Sequence, residues 1–337
     1  MRGGPRRPGP RPPGSGAPRG GDPPHPGRRD PQRQARLEAR HAIPNAPHAE
    51  VTRTKHRARK RFGQHFLERA WADKLVASLD VAPEDVFIEI GPGLGALTRP
   101  LAATGVAIRA IEVDRDLAAA LAEWAPPNLS LVVGDFLALD DAGVLPAGGG
   151  TIRVVGNLPY NLSSPILFRI LALARATGRV RDAVVMLQRE VADRVLAAPG
   201  GGDYGPLAVM LGLFADRSRV LSLPPGAFRP PPQVHSAVVR LAFRPPPVPV
   251  ARFDAVDRLV RTAFQQRRKT LANALRPLLD RAVGQATVEG DPAALRTSTD
   301  LAGVLSGAGI DPTRRPETLT PTEFVRLADT LIPLSVL

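Results

Sequence analysis

A chain of 337 residues is long enough for two domains and a sizeable core. It has no cysteine, which excludes a disulfide framework, a thiol nucleophile and a Cys-based zinc site, and no apolar run approaches the roughly 18 residues of a membrane span. The formal net charge is +13, but 15 Lys/Arg against four acids fall within residues 1–60, so the remaining 277 residues carry only +2.

The chain therefore reads as a nearly neutral globule with a basic arm. Residues 1–57, rich in Arg, Pro and Gly ("RGGPRRPGPRPPGSGAPRGG"), bury too little apolar surface to offset the entropy of ordering, and a disordered tail is expected. The tail is either a non-specific anchor on nucleic-acid phosphates or a solvated extension. Its start has no apolar signal core, so a cytoplasmic protein with no membrane association is expected.

From Lys60 the composition changes. Trp71, Leu75, Val76 and Leu79 have helical spacing. Apolar runs then alternate with helical patterns: "VFIEI" (86–90), "VAIRAIEV" (106–113), "LSLVVGD" (129–135), "IRVVG" (152–156) and "AVVMLQ" (183–188), with Leu97–Ala103, Leu117–Trp124, Pro165–Ala174 and Glu190–Leu196 between and after them. This alternation predicts an α/β, doubly wound, mostly parallel sheet covered on both faces. After "GGGDYG" (200–205), "SRVLSL" and "SAVVRLAF" flank a Pro-rich connection and predict an antiparallel edge. A second Pro cluster, "RPPPVP" (244–249), marks a domain boundary. The expected units are the tail (1–57), an α/β domain (58–247) and a small all-α domain (248–337). In the last, Val256, Leu259, Val260, Ala263 and Phe264 form a stripe resumed by Leu271 and Leu275. Continuing it would bury Arg267 or Arg268, so a break is expected near Gln265–Gln266.

Two short segments carry chemistry. "EIGPGLGALT" (89–98) ends the first strand, and Gly91, Gly93 and Gly95 permit a tight turn that a ligand can approach closely. With Ala96 it also matches the G-x-G-x-x-G/A fingerprint of dinucleotide sites. The helix that follows is expected to offer free N–H groups. Glu112 ends the second strand, where a carboxylate accepts ribose hydroxyls from NAD or S-adenosylmethionine alike. Asp135, after the third strand, is placed to accept from an adenine amine or to cap a turn. Glu89, two residues before the first glycine, makes the segment similar to the first motif of class I methyltransferases, which have a Rossmann-like fold.

The second segment is "NLPY" (157–160), at a strand end beside the glycine turn. An exocyclic adenine amine is a poor nucleophile because its lone pair is delocalised into the ring. Acceptors that hold its hydrogens as the nitrogen pyramidalises favour the transition state. Asn157 offers a side-chain oxygen, Leu158 or Pro159 a carbonyl, and Tyr160 a stacking face. Phe228, in "AFRPPPQV", is either a second stacking face or a core aromatic.

Together, "ARKRFGQHFL" (58–67), "EIGPGLGALT", "IEVDRDLA" (111–118), "NLPYNLSSPIL" (157–167), "MLQREVADR" (186–194), "PPGAFRPPPQVHSAVVRL" (224–241), "AFQQRRKTLANAL" (263–275) and "GIDPTRRPETLT" (309–320) make the chain resemble the KsgA-type small-subunit ribosomal RNA adenine dimethyltransferases. The resemblance covers roughly Ala58 to Leu331. It implies S-adenosylmethionine as methyl donor and N6,N6-dimethylation of two adjacent adenosines in a hairpin near the 3′ end of small-subunit rRNA during ribosome assembly. The implied partner is the precursor of the small subunit with its rRNA, and the expected state is a monomer. By matched position it puts cofactor contacts on His65, Leu67, Gly91, Glu112, Asp135 and Asn157, with Gly93 in the same turn. His65 departs from the Asn that bacterial members often carry. RNA-binding roles are expected for Arg59, Lys60 and Arg61, with Arg57 beside them, and for Arg267, Arg268 and Lys269. No metal is expected.

Overall fold

The computed structural model describes residues 65–148, 150–278, 280 and 301–332. The expected disordered tail, and with it Arg57, Arg59, Lys60 and Arg61, lies outside the described residues.

Seven strands form one sheet in the order β4-β3-β2-β5-β6-β9-β7. They are β2 (Val86–Ile90), β3 (Ala107–Glu112), β4 (Leu129–Val133), β5 (Ile152–Asn157), β6 (Val180–Gln188), β7 (Ala215–Leu223) and β9 (Ser236–Phe243). A two-residue pair, β1 (Phe66–Leu67) and β8 (Phe228–Arg229), lies apart from it. β2 to β6 are mutually parallel, while β9 runs antiparallel to β6 and β7 antiparallel to β9. The antiparallel edge is as expected, with the last strand inserted inside the earlier one.

The order fixes where a ligand can sit. The chain leaves β2 towards β3 and β4, then returns to place β5 on the other side of β2. Strand order reverses between β2 and β5, and in such sheets ligands bind beyond the carboxyl ends of the strands at that point. Ile90 pairs with Gly156 at this end, so the residues that follow, Gly91 on one strand and Asn157 on the other, are neighbours by construction.

The strands are apolar on both faces because both are covered. Ile88, Ile90, Val154, Val185 and Leu241 belong to one cluster with the helices Ser163–Thr177 and Pro206–Phe214, and Phe87, Ala110, Val155, Val184 and Val238 belong to the other with the helix Arg69–Ala77. Gly156 lies opposite Ile90 where β5 pairs with β2. A Cβ there would come within 2.6 Å of the Ile90 carbonyl oxygen, which is backbone and cannot swing aside. Gly156→Ala is therefore expected to cost roughly 1–3 kcal/mol, as overpacked cores do, and to part β2 from β5 at the site. A urea melt with a donor-binding titration on the same sample checks both effects.

The helix Pro206–Phe214 was not foreseen from the sequence. Leu207, Ala208, Val209, Met210, Leu211, Leu213 and Phe214 are all buried, so it has no polar face to give a period. It packs against the helices Ser163–Thr177, Arg189–Leu196, Phe253–Gln265 and Pro321–Leu331. The apolar stripe of the carboxyl-terminal helices thus joins the same hydrophobic cluster as one face of the sheet.

The helix Phe253–Gln265 ends where the stripe requires, with Gln266 leaving helical geometry at φ −120°, ψ 45°. Helix 271–278 resumes the stripe with Leu271 and Leu275 buried. Residues 311–320 lock this region. Arg314 reaches Glu323 at 2.6 Å, Thr320 and Glu323 form a reciprocal capping box for Pro321–Leu331, and the Tyr204 hydroxyl donates to the Leu319 carbonyl at 2.9 Å. No helix among the described residues is long and apolar enough to cross a membrane.

Candidate active site

The glycine turn is held from the end of β3. Gly91 N–H donates to the Ile111 carbonyl at 2.9 Å, and Gly93 N–H donates to Glu112 Oε2 at 3.0 Å. Glu112 Oε1 accepts from Asp114 N–H at 2.9 Å. Burial pushes the Glu112 carboxyl up, while these backbone donors act to lower it. Gly93 sits at φ +57°, in the left-handed region, and a Cβ there would press on the Phe66 ring at 3.2 Å, so the position needs glycine on two counts. The helix that follows is the five-residue Thr98–Ala102, and within the turn the amides of Gly91, Gly93 and Gly95 are already used by the Ile111 carbonyl, Glu112 and the Pro92 carbonyl. What the turn offers a guest is close approach and the remaining lone pairs of Glu112.

The facing wall is the segment after β5. Leu158 N–H donates to the Met186 carbonyl of β6 at 3.2 Å. Asn157 Nδ2 donates to the His65 carbonyl at 2.7 Å. A carbonyl only accepts, which fixes the amide orientation and leaves Asn157 Oδ1 as the acceptor for a guest. The Pro159 carbonyl is already shared by Leu162 N–H at 3.0 Å and Ser163 Oγ at 3.1 Å. Of the two backbone acceptors considered from the sequence, Leu158 is therefore the one left over. Tyr160 shares a hydrogen bond with Ser236 Oγ of β9 at 3.0 Å, and its ring stacks on His65 with centroids 5.4 Å apart. Burial raises the Tyr160 phenol above its ordinary value, so it stays protonated. His65 Nδ1 contacts the Pro230 carbonyl at 2.8 Å, which requires the proton on Nδ1.

These walls enclose a cavity of about 980 Å³, counting the open solvent at its mouth. It brings together His65, Leu67, Gly91, Gly93, Glu112, Asn157, Pro159 and Tyr160, drawn from four chain segments. Glu89 also lines it, fully buried, with its carboxyl pushed up to about 8 chiefly by burial, and its Oε2 has no hydrogen-bond partner. Glu89 was missing from the expected contacts, yet an acid inside the otherwise apolar run "VFIEI" is the signal that could have placed it there. A buried carboxyl turned to a cavity, beside a second one tied to a glycine turn, fits a cationic, ribose-bearing guest.

Other expected residues lie elsewhere. Asp135 is exposed and does not line the cavity; its Oδ1 accepts from Leu137 N–H at 2.9 Å, which caps the turn after β4. Phe228 is fully buried in the core cluster of Leu67 and Phe87, paired in register with Leu67 and absent from the cavity wall. Between the two roles considered for it, this conformation gives the core aromatic, because pairing of β8 with β1 turns the ring inward. Arg267 pairs with Glu317 at 2.8 Å and reaches the Gly201 carbonyl at 3.3 Å, so its guanidinium fastens the turn between the helices. Arg268 and Lys269 are exposed.

Residues 55–296 match the family described as ribosomal RNA adenine dimethylase. The chain is 43% identical over 282 residues to "Ribosomal RNA small subunit methyltransferase A" of Pseudomonas fluorescens, covering 82% of this chain and 94% of that one. It is 45% identical over 279 residues to the protein of the same name from Laribacter hongkongensis, covering 82% and 97%. Its fold is similar to that of a dimethyladenosine transferase from Plasmodium falciparum, with a TM-score of 0.65 at 24% identity over 80% of this chain and 98% of that one. With a family match across most of the chain and relatives aligned over nearly their whole length, the chain belongs to the ribosomal RNA adenine dimethylase family.

Proposed function

We propose that this chain, an S-adenosylmethionine-dependent ribosomal RNA adenine dimethyltransferase by family, converts two adjacent adenosines in a hairpin near the 3′ end of small-subunit rRNA to N6,N6-dimethyladenosines during ribosome assembly. The observation that carries this reading is the shared cavity between the glycine turn and Asn157–Tyr160, which the β2–β5 pairing brings together.

S-adenosylmethionine supplies an electrophilic methyl group on a sulfonium. Glu112 would hold the ribose, and Gly91 and Gly93 would let the backbone close on the donor. His65 and Leu67 wall its other side. The chain's own work is to position the acceptor. Asn157 Oδ1 and the Leu158 carbonyl would take the two hydrogens of the adenine amine, drawing its nitrogen towards a tetrahedral shape with the lone pair aimed at the methyl. The amine becomes cationic on transfer and loses a proton readily, so no strong base is needed. Tyr160 would stack on the base, worth roughly 1–3 kcal/mol, which requires the nucleotide to be extruded from its helix. One face of its ring already lies against His65; the base takes the other face or displaces the imidazole. Asp135 joins the donor site only through its second carboxylate oxygen, which is unused among the described residues.

Arg268 and Lys269 are proposed to meet RNA phosphates, with Arg59, Lys60 and Arg61 adding to the same attraction; Arg267 serves this face indirectly through Glu317. Within the compact part, residues 58–247 form the methyl-transfer unit and 248–337 the RNA-facing one. The chain is proposed to act as a monomer, in the cytoplasmic compartment where its substrate is assembled.

Incubation with labelled S-adenosylmethionine and unmethylated small subunits, followed by mapping of the modified bases, tests the reading. Two adjacent dimethyladenosines near the rRNA 3′ end are expected. Label found only in large-subunit RNA, or in no RNA, would overturn it.

A further inference from the structure

Among the described residues the cavity wall carries acids and no Lys or Arg: its titratable groups are Glu89, Glu112, His65 and Tyr160. Glu89 is 2% exposed and its Oε2 is unpartnered. Its neighbours in register across the sheet, Ala110 of β3 and Val155 of β5, are apolar. From the helix Thr98–Ala102 the Thr98 hydroxyl lies beside it without closing a good hydrogen bond, and Arg99 of that helix is turned over the Trp124 ring at 4.3 Å. From the end of β3, Glu112 adds a second negative charge, with Asp114 behind it. His65 and Tyr160 stand on the opposite wall.

Two carboxylates confined together without a cation do not both ionise. Glu112 receives two backbone N–H groups and is the better anion. Glu89 receives none, and its carboxyl, pushed up to about 8, keeps its proton in the empty cavity at neutral pH. A cation entering beside it reverses the preference. The donor and the product share an ammonium and a carboxylate, and they differ by the one positive charge at sulfur, which the donor's sulfonium carries and the thioether left after transfer does not.

Resting on the donor reading above, we propose that Glu89 is a proton-linked charge sensor: it releases its proton when the sulfonium donor fills the cavity and takes one back once methyl transfer leaves a neutral thioether. On binding, one proton goes to solvent. On transfer, the sulfur–methyl bond breaks with its electron pair kept by sulfur, the nitrogen–methyl bond forms, and the cationic amine loses one proton. Glu89 then regains one, so each cycle releases a single net proton, as amine methylation requires. The attraction for the guest is switched off by the chemistry itself. This suits an enzyme that must exchange product for fresh donor before the second methyl reaches each base.

Calorimetric titration near neutral pH, in two buffers of different ionisation heat, counts the protons. The wild-type protein is expected to release close to one proton more with S-adenosylmethionine than with S-adenosylhomocysteine. In Glu89→Gln this difference should vanish, and selectivity should shift towards S-adenosylhomocysteine by roughly tenfold. Infrared difference spectra of the wild type give a second readout that does not depend on the variant folding: a protonated-carboxyl band lost with S-adenosylmethionine and kept with S-adenosylhomocysteine. Equal proton counts for the two ligands, or a carboxyl band indifferent to which is bound, would overturn the proposal while leaving the donor site intact. Failure of both ligands to bind would overturn the donor reading and the sensor with it.

Discussion

Asn157→Ala is expected to lower kcat by about 10²–10³-fold, the scale set by removing one preorganised partner of a developing transition-state charge, while sparing affinity for the RNA. The loss has two sources. Oδ1 is the side-chain acceptor proposed for the reacting amine, and Nδ2 ties the His65 carbonyl into the cavity wall at 2.7 Å. Asn157→Asp separates them. It keeps an acceptor for the amine but sets a carboxylate against the His65 carbonyl, where nothing donates. Its activity should fall between the other two, with weaker donor binding than the wild type because the His65–Leu67 wall is loosened. Single-turnover rates on unmethylated small subunits, alongside RNA and donor titrations, distinguish these effects. Wild-type rates in Asn157→Ala would refute the mechanism.

The second large effect lies at the opposite end of the sheet. Arg153, 1% exposed, holds Asp182 through two hydrogen bonds of 2.8 Å and Asp85 through one of 3.0 Å. Both carboxylates are buried as well, and Arg181 and Arg240 reach them only at 3.3 and 3.4 Å. Arg153→Met leaves two buried acids with the weaker share of their compensation, and a loss of about 3–5 kcal/mol in unfolding free energy is expected. Adding Asp85→Asn and Asp182→Asn to that variant should recover much of it, since the damage comes from uncompensated charge rather than lost volume. Urea melts at neutral pH check both statements. The network sits at the amino ends of β5 and β6, so donor affinity of the folded fraction should not change; a large change would mean that the two sheet ends are coupled.

Much of the architecture was legible because parallel strands covered on both faces give continuous apolar runs, and "VFIEI" matches β2 residue for residue. The helix Pro206–Phe214 was invisible for a related reason: burial on every side removes the polar face on which periodicity depends. The role of the buried Arg153 is likewise not legible, because a lone charge in "IRVVG" shows nothing of its partners 29 and 68 residues away. At the site, Gly93, Glu112 and Asn157 could be found because chemistry and chain geometry favour the same residue types there. Phe228 and Asp135 were harder, since an aromatic on a short strand and an acid after one each have two uses. In this conformation pairing of β8 with β1 buries Phe228, and Asp135 Oδ1 caps the turn at Leu137 while its second oxygen stays available. The occupied carbonyl of Pro159 had no sequence signal, being a property of how the turn closes onto Ser163.

The proposed methyl transfer requires donor and acceptor to meet in one cavity across the β2–β5 junction. A crystal structure of the protein with S-adenosylmethionine tests this most directly. The ribose should lie on Glu112, and the sulfonium methyl should point at the space between Asn157 Oδ1 and the Leu158 carbonyl. A donor seated away from the glycine turn, or with its methyl facing away from Asn157, would contradict it.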